Sequence, residues 1–145
     1  MPLIPPKIVI EATLKVGAIY KFEAPELITT SIPHYFIVIA IENENNFLSV
    51  CTTQLDNKIH HLTKMGYNLN TLAYIRPNSN NCFKEDTYIN CNDYHTITKD
   101  ELINKVQLKN FHPIGRLTKS EYENILNSIS LSYTNDIPSF LLVYE

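Results

Sequence analysis

Proton transfer near neutral pH is imidazole chemistry, and this chain of 145 residues carries five histidines, His34, His60, His61 and His95 among them. Imidazole titrates near ~6.5, so one copy can take a proton where another gives one. His60 and His61 are adjacent; on an extended strand their side chains diverge and cannot share one ion. Cys91-x-Asp93-x-His95 has period two, which would set three possible metal ligands on one strand face. A zinc site would need a fourth group and a Cys- or His-rich spacing that is missing, so neither metal nor cofactor is expected. Cys51, beside Thr52, reads as a buried strand residue, since no base can be assigned to activate its thiol. The three glycines are isolated, which excludes the usual phosphate-cradling loops. Arginine is scarce: only Arg76 and Arg116 occur.

The frame that must hold these groups is small. The length fits one domain, and 44% hydrophobic content argues against disorder. Three cysteines at irregular spacing suit a reducing compartment better than a disulfide framework, so a cytoplasmic location is expected. No apolar run is long enough to cross a bilayer, and the N-terminus lacks the pattern of a signal peptide. With a formal net charge of −3, the chain is not a generally basic nucleic-acid binder.

Three prolines between residues 2 and 6 argue against a regular helix there, and Ile8-Val9-Ile10 reads as a short edge strand or part of an arm. Strands are expected at Ala18–Phe22 and Tyr35–Ile41, the latter an unbroken β-branched and aromatic run that fits a strand buried on both faces. A polar turn at 42–46 joins it to a strand over Phe47–Thr53, giving a hairpin. Leu55–Met65 reads as a short helix or a long loop. Further strands are expected at Leu72–Arg76, Thr87–Cys91 and Phe111–Leu117, the last bent or at an edge because it carries Pro113 and Gly115. Two capping boxes, Thr98-x-x-Glu101 and Thr118-x-x-Glu121, predict a one-turn helix through Leu102 and a longer helix after Thr118. In the longer one, Tyr122, Ile125, Leu126 and Ile129 make one apolar stripe, which packs on a sheet. Pro138 breaks the chain before Phe140–Tyr144, an apolar tail expected to pair with a sheet edge of its own or of a second subunit.

In this order the elements resemble the MazF/PemK (Kid) family of toxin endoribonucleases. Gly17-Ala18-Ile19-Tyr20 stands where the family has G-[DE]-[IV]-[YW], and His34-Tyr35-Phe36-Ile37-Val38-Ile39 where it has R-P-V-L-V-I. Phe83 through Leu102 lines up without a gap on F-x-x-D-S-x-I-x-x-x-Q-[IV]-R-T-I-x-x-x-R-L, and Ile114-Gly115-Arg116-Leu117-Thr118-x-x-Glu121 on I-G-x-L-[ST]-x-x-[ED]. The resemblance implies a mainly β fold, a small SH3-like (PemK-like) barrel with a C-terminal α-helix. It divides the chain into a Pro-rich arm (1–15), a barrel domain (16–133) and an apolar tail (134–145). It further implies a bacterial type II toxin–antitoxin system, cleavage of single-stranded RNA through the 2′-OH, a homodimer, and an antitoxin protein as partner.

The departures from the family pattern fall at its active residues. His34 stands where the resemblance puts a phosphate-binding arginine, Thr52 (or, one register on, Thr53) where it puts the partner hydroxyl, and His95 where it puts a second arginine. Arginine is a good donor and a poor base, whereas two histidines can serve as base and acid around one threonine hydroxyl. His34, Thr52 and His95 are therefore the candidate catalytic set. Tyr35, Tyr88 and Tyr94 are candidates for stacking on bases, Thr53 for contacting RNA, and Lys84, Lys99 and Lys109 for attracting phosphate. The alternative is a catalytically silent SH3-like barrel that binds a peptide or nucleic acid in the same groove.

Overall fold

The computed structural model describes residues 4–28, 32–108 and 110–145. Seven antiparallel strands form one strongly bent sheet: β1 (Ala18–Phe22), β2 (His34–Glu42), β3 (Asn45–Thr52), β4 (Leu72–Ile75), β5 (Thr87–Asn90), β6 (His95–Thr98) and β7 (His112–Arg116). The spatial order is β4-β5-β3-β2-β1-β7, with β6 also paired to β3. Among the described residues the α-helices are α1 (Pro6–Thr13), α2 (Leu55–Met65), α3 (Lys99–Val106) and α4 (Lys119–Ser130). This is the expected architecture, a small bent β-sheet of the SH3-like barrel kind closed by a C-terminal helix.

β2 is central, and its side chains alternate into two separate cores. Ile37 and Ile39 face one, with Ile19, Leu117, Ile125 of α4 and Ile137; Phe36 and Val38 face the other, with Phe22, Leu48, Ile10 of α1 and Leu102 of α3. A register shift between Val38 and Ala40 turns Ala40 to the same side as Ile39. Both faces of the sheet are thus covered, which is why the strand reads as an unbroken apolar run. α4 is fastened from within: Tyr122, fully buried, donates its hydroxyl hydrogen to the Ile39 carbonyl at 2.6 Å.

Both capping boxes are present, with each threonine hydroxyl accepting the N–H three residues on and each glutamate returning the bond. Three expectations need correction. Residues 6–13 form α1, because Pro5 and Pro6 stand at the helix entrance, where a missing N–H leaves no bond unmade, and Ile10 is rewarded by complete burial. Ile8-Val9-Ile10 is therefore neither strand nor arm. α3 runs to Val106 instead of stopping at Leu102, since Ile103 and Val106 also pack on the second core. The segment after Pro138 forms no strand; Ser139–Leu141 is a 3-10 turn, and Leu141 and Leu142 lie against the first core. Tyr144 fixes this segment, donating to the Leu117 carbonyl at 2.8 Å beneath the Arg116 guanidinium, 4.1 Å from its ring centre.

Candidate functional site

Two strands that begin and end side by side build the candidate site. The β2–β3 ladder pairs Phe36 with Val50, and continuing it by two residues sets His34 opposite Thr52. Both line an open cleft of about 290 Å³, together with Tyr35, Thr53, Gln54 and Glu85. The chain leaves β3 at Thr52 and enters α2 at Leu55, so the start of that helix stands at the rim; no side chain caps it.

Local hydrogen bonds fix the polarity of the two central groups. His34 Nδ1 lies 2.8 Å from the Ile32 carbonyl oxygen. A carbonyl only accepts, so Nδ1 carries the proton and Nε2 is left for a substrate. Thr52 Oγ1 accepts the N–H of Gln54 at 3.0 Å. One lone pair is thereby engaged, and the hydroxyl hydrogen remains free to donate. Glu85 enters from the segment before β5, held by Thr87, whose hydroxyl donates to the Glu85 carbonyl at 3.0 Å. Upstream, the fully buried Asn81 uses its side-chain oxygen to accept the N–H of Phe83 at 2.9 Å.

His95 is not in this cleft. It pairs with Leu48 on the β6 side of β3, four residues from Thr52, a strand distance of roughly 13 Å. The expected convergence of two imidazoles on one threonine is therefore not the arrangement found. Cys91-x-Asp93-x-His95 likewise does not line one strand face, because β5 ends at Asn90 and a turn separates it from β6. Tyr94 lies with His95, packed edge-on against Phe47 and donating to Asp136 at 2.5 Å. Its phenol pKa is raised, chiefly by that hydrogen bond. Tyr35 lines the cleft but turns its ring onto Phe83, with the Lys21 ammonium 5.1 Å from the ring centre. Lys84 is exposed beside Glu85 and Lys99 opens α3; Lys109 lies outside the described residues. Sequence reasoning passed over Glu85, although the aligned stretch from Phe83 placed it just ahead of a strand.

Cys51 forms part of the cleft wall and is buried. Burial, with the thiol of Cys91 nearby, pushes its pKa far above that of a free cysteine; Cys91 is pushed up to about 12, again mainly by burial. A thiol that stays protonated is a poor nucleophile. Titrating the folded protein at pH 8 with a thiol-reactive disulfide is accordingly expected to modify one cysteine, the exposed Cys82, and all three after unfolding in guanidinium. Two rapidly reacting thiols in the folded state would contradict the packing of this wall.

No protein-family profile and no curated protein matches the sequence. Among solved structures, the chain is similar to Mycobacterium tuberculosis toxin MazF-mt6, with a TM-score of 0.52 over 83% of this chain and 99% of that one. The fold is MazF-like. Identity over the match is 14%, so the likeness carries architecture and no residue roles. Within that MazF-like frame, the cleft lining holds no lysine or arginine among the described residues. Among the described residues, no helix is long and apolar enough to cross a membrane.

Proposed function

We propose that this protein is a metal-independent endoribonuclease of the MazF kind, acting in the cytoplasm as the toxin of a type II toxin–antitoxin pair. In this reading it is a homodimer that takes single-stranded RNA as substrate and is neutralised by an antitoxin protein lying over the cleft. One observation carries the reading: an imidazole and a threonine hydroxyl, both with their hydrogen-bond polarity set by the backbone, face one open cleft.

The chemistry follows from those polarities. The 2′-oxygen attacks the adjoining phosphorus while the Glu85 carboxylate takes its proton. The P–O5′ bond breaks, and protonated His34 delivers a proton from Nε2 to the departing 5′-oxygen. Thr52 donates to a non-bridging oxygen as charge builds there, helped by main-chain N–H groups at the start of α2. The products are a 2′,3′-cyclic phosphate and a 5′-hydroxyl. Glu85 takes the part that the sequence alone offered to His95.

Among the described residues no lysine or arginine lines the cleft, which favours the second reading, a silent barrel that binds a peptide or nucleic acid. Incubation with a long single-stranded RNA in EDTA, followed by mass spectrometry of the ends, separates the two. Cyclic-phosphate ends, formed more slowly by Thr52→Val, are the expected outcome. Intact RNA after prolonged incubation would leave the binding barrel as the better account.

A further inference from the structure

The register carries the row of Thr52 across the sheet onto two tyrosines. β3 pairs with β5 so that Thr52 stands opposite Tyr88, and β5 pairs with β4 so that Tyr88 stands opposite Tyr74. Residues opposite one another in a ladder share a face. Tyr74, Tyr88, Thr52 and, by the extended register, His34 therefore form one row across four strands. Their neighbours Ile75, Ile89 and Cys51 point the other way, into the first core. The two rings lie 5.5 Å apart at 31°, and Tyr74 is 44% exposed. Tyr74 is also held in place, its hydroxyl donating to Asp86 at 2.9 Å. Arg76, two residues along the chain from Tyr74 and exposed, makes no ion pair among the described residues.

An exposed tyrosine held at its hydroxyl, beside a half-buried one and an exposed guanidinium, is shaped for flat, weakly polar groups next to an anionic chain. Tyr88 is one strand spacing from Thr52 and Tyr74 two, roughly 5 and 10 Å. A phosphate at Thr52 thus leaves the adjoining base within reach of the rings. We infer that Tyr74 and Tyr88 form a stacking subsite for an unpaired base next to the scissile phosphate, with Arg76 on the backbone beyond it. The inference rests on the RNA-cleaving reading of the cleft and adds where the substrate's base is held. Stacking tolerates any base but requires that it be splayed from its neighbours, so the subsite selects single strands over duplexes.

The test uses a 2′-O-methyl oligoribonucleotide of eight residues carrying one 2-aminopurine, which cannot be cleaved and reports stacking by its fluorescence. The wild-type protein is expected to quench the probe and bind it, and Tyr74→Ala and Tyr88→Ala each to weaken binding roughly tenfold. Tyr74→Phe keeps the ring and loses only the Asp86 bond, so it should bind within about twofold of wild type. The same oligomer in a duplex should bind equally well to all variants. Unchanged single-strand affinity in both alanine variants, with melting temperatures intact, would overturn the subsite while leaving cleavage to stand. Tyrosine-dependent binding without cleavage of ordinary RNA would sink the nuclease reading and keep the subsite. No binding by wild type would overturn the subsite, and the cleavage assay decides the nuclease reading separately.

Discussion

Substituting His34 by alanine is expected to slow RNA cleavage by about 10²- to 10⁴-fold, the range that a well-placed general acid contributes. The loss should fall on kcat with little change in KM, because the imidazole acts on the leaving oxygen and holds little of the ground state. His34 begins β2 at a half-exposed position, and among the described residues its side chain bonds only to the Ile32 carbonyl, so the fold should not suffer. Glu85→Gln, which keeps the shape of the side chain and loses the base, should slow cleavage over the same range. If His95→Ala alone abolished activity while His34→Ala left it unchanged, the assignment of the site to this cleft would be wrong.

How far the site could be read from the chain depends on which of its contacts are local. His34 and Thr52 belong to one hairpin, β2 and β3, whose short turn and apolar runs determine how the strands meet, so their proximity was legible. The capping boxes of α3 and α4 were legible for the same reason: each is complete within four residues. His95 was misplaced because its position depends on β6 adding to β3, a pairing between residues about fifty apart that no local pattern marks. A stretch aligned without gaps fixes order along the chain but not distance across a sheet. α1 was missed from the opposite direction. Local propensity argued against it, and what stabilises it is distant: Ile10 closing the second core beside α3. Glu85 needed both kinds of information, a strand start and the loop that holds it.

That loop is pinned against Gly115. Gly115 lies in β7 where residues 77–82 cross it, and Arg116 donates its N–H to the Asn80 carbonyl at 3.0 Å. A Cβ on Gly115 would overlap that carbonyl oxygen and stand 3.1 Å from the one on Asn81. Backbone oxygens cannot rotate away, so the strand or the loop must shift. The loop has little room to do so. Asn81 is tied on both sides, its amide donating to the Arg76 carbonyl at 2.9 Å and to Glu121 at 2.7 Å. Gly115→Ala is therefore expected to cost about 3 kcal/mol, the upper part of the range for overpacking, and to lower Tm by about 10 °C in a chain of this size. Gly66 provides the contrast. It has positive φ at the end of α2 with nothing within 4 Å, so Gly66→Ala meets only backbone strain and should cost about 1 kcal/mol. Near-equal denaturation midpoints for the two variants would mean that the loop is not pinned on β7. Because Asn81 also holds Phe83, and Phe83 leads to Glu85, the Gly115 variant should lose activity even at temperatures where it remains folded. Gly66→Ala should keep wild-type activity under the same conditions.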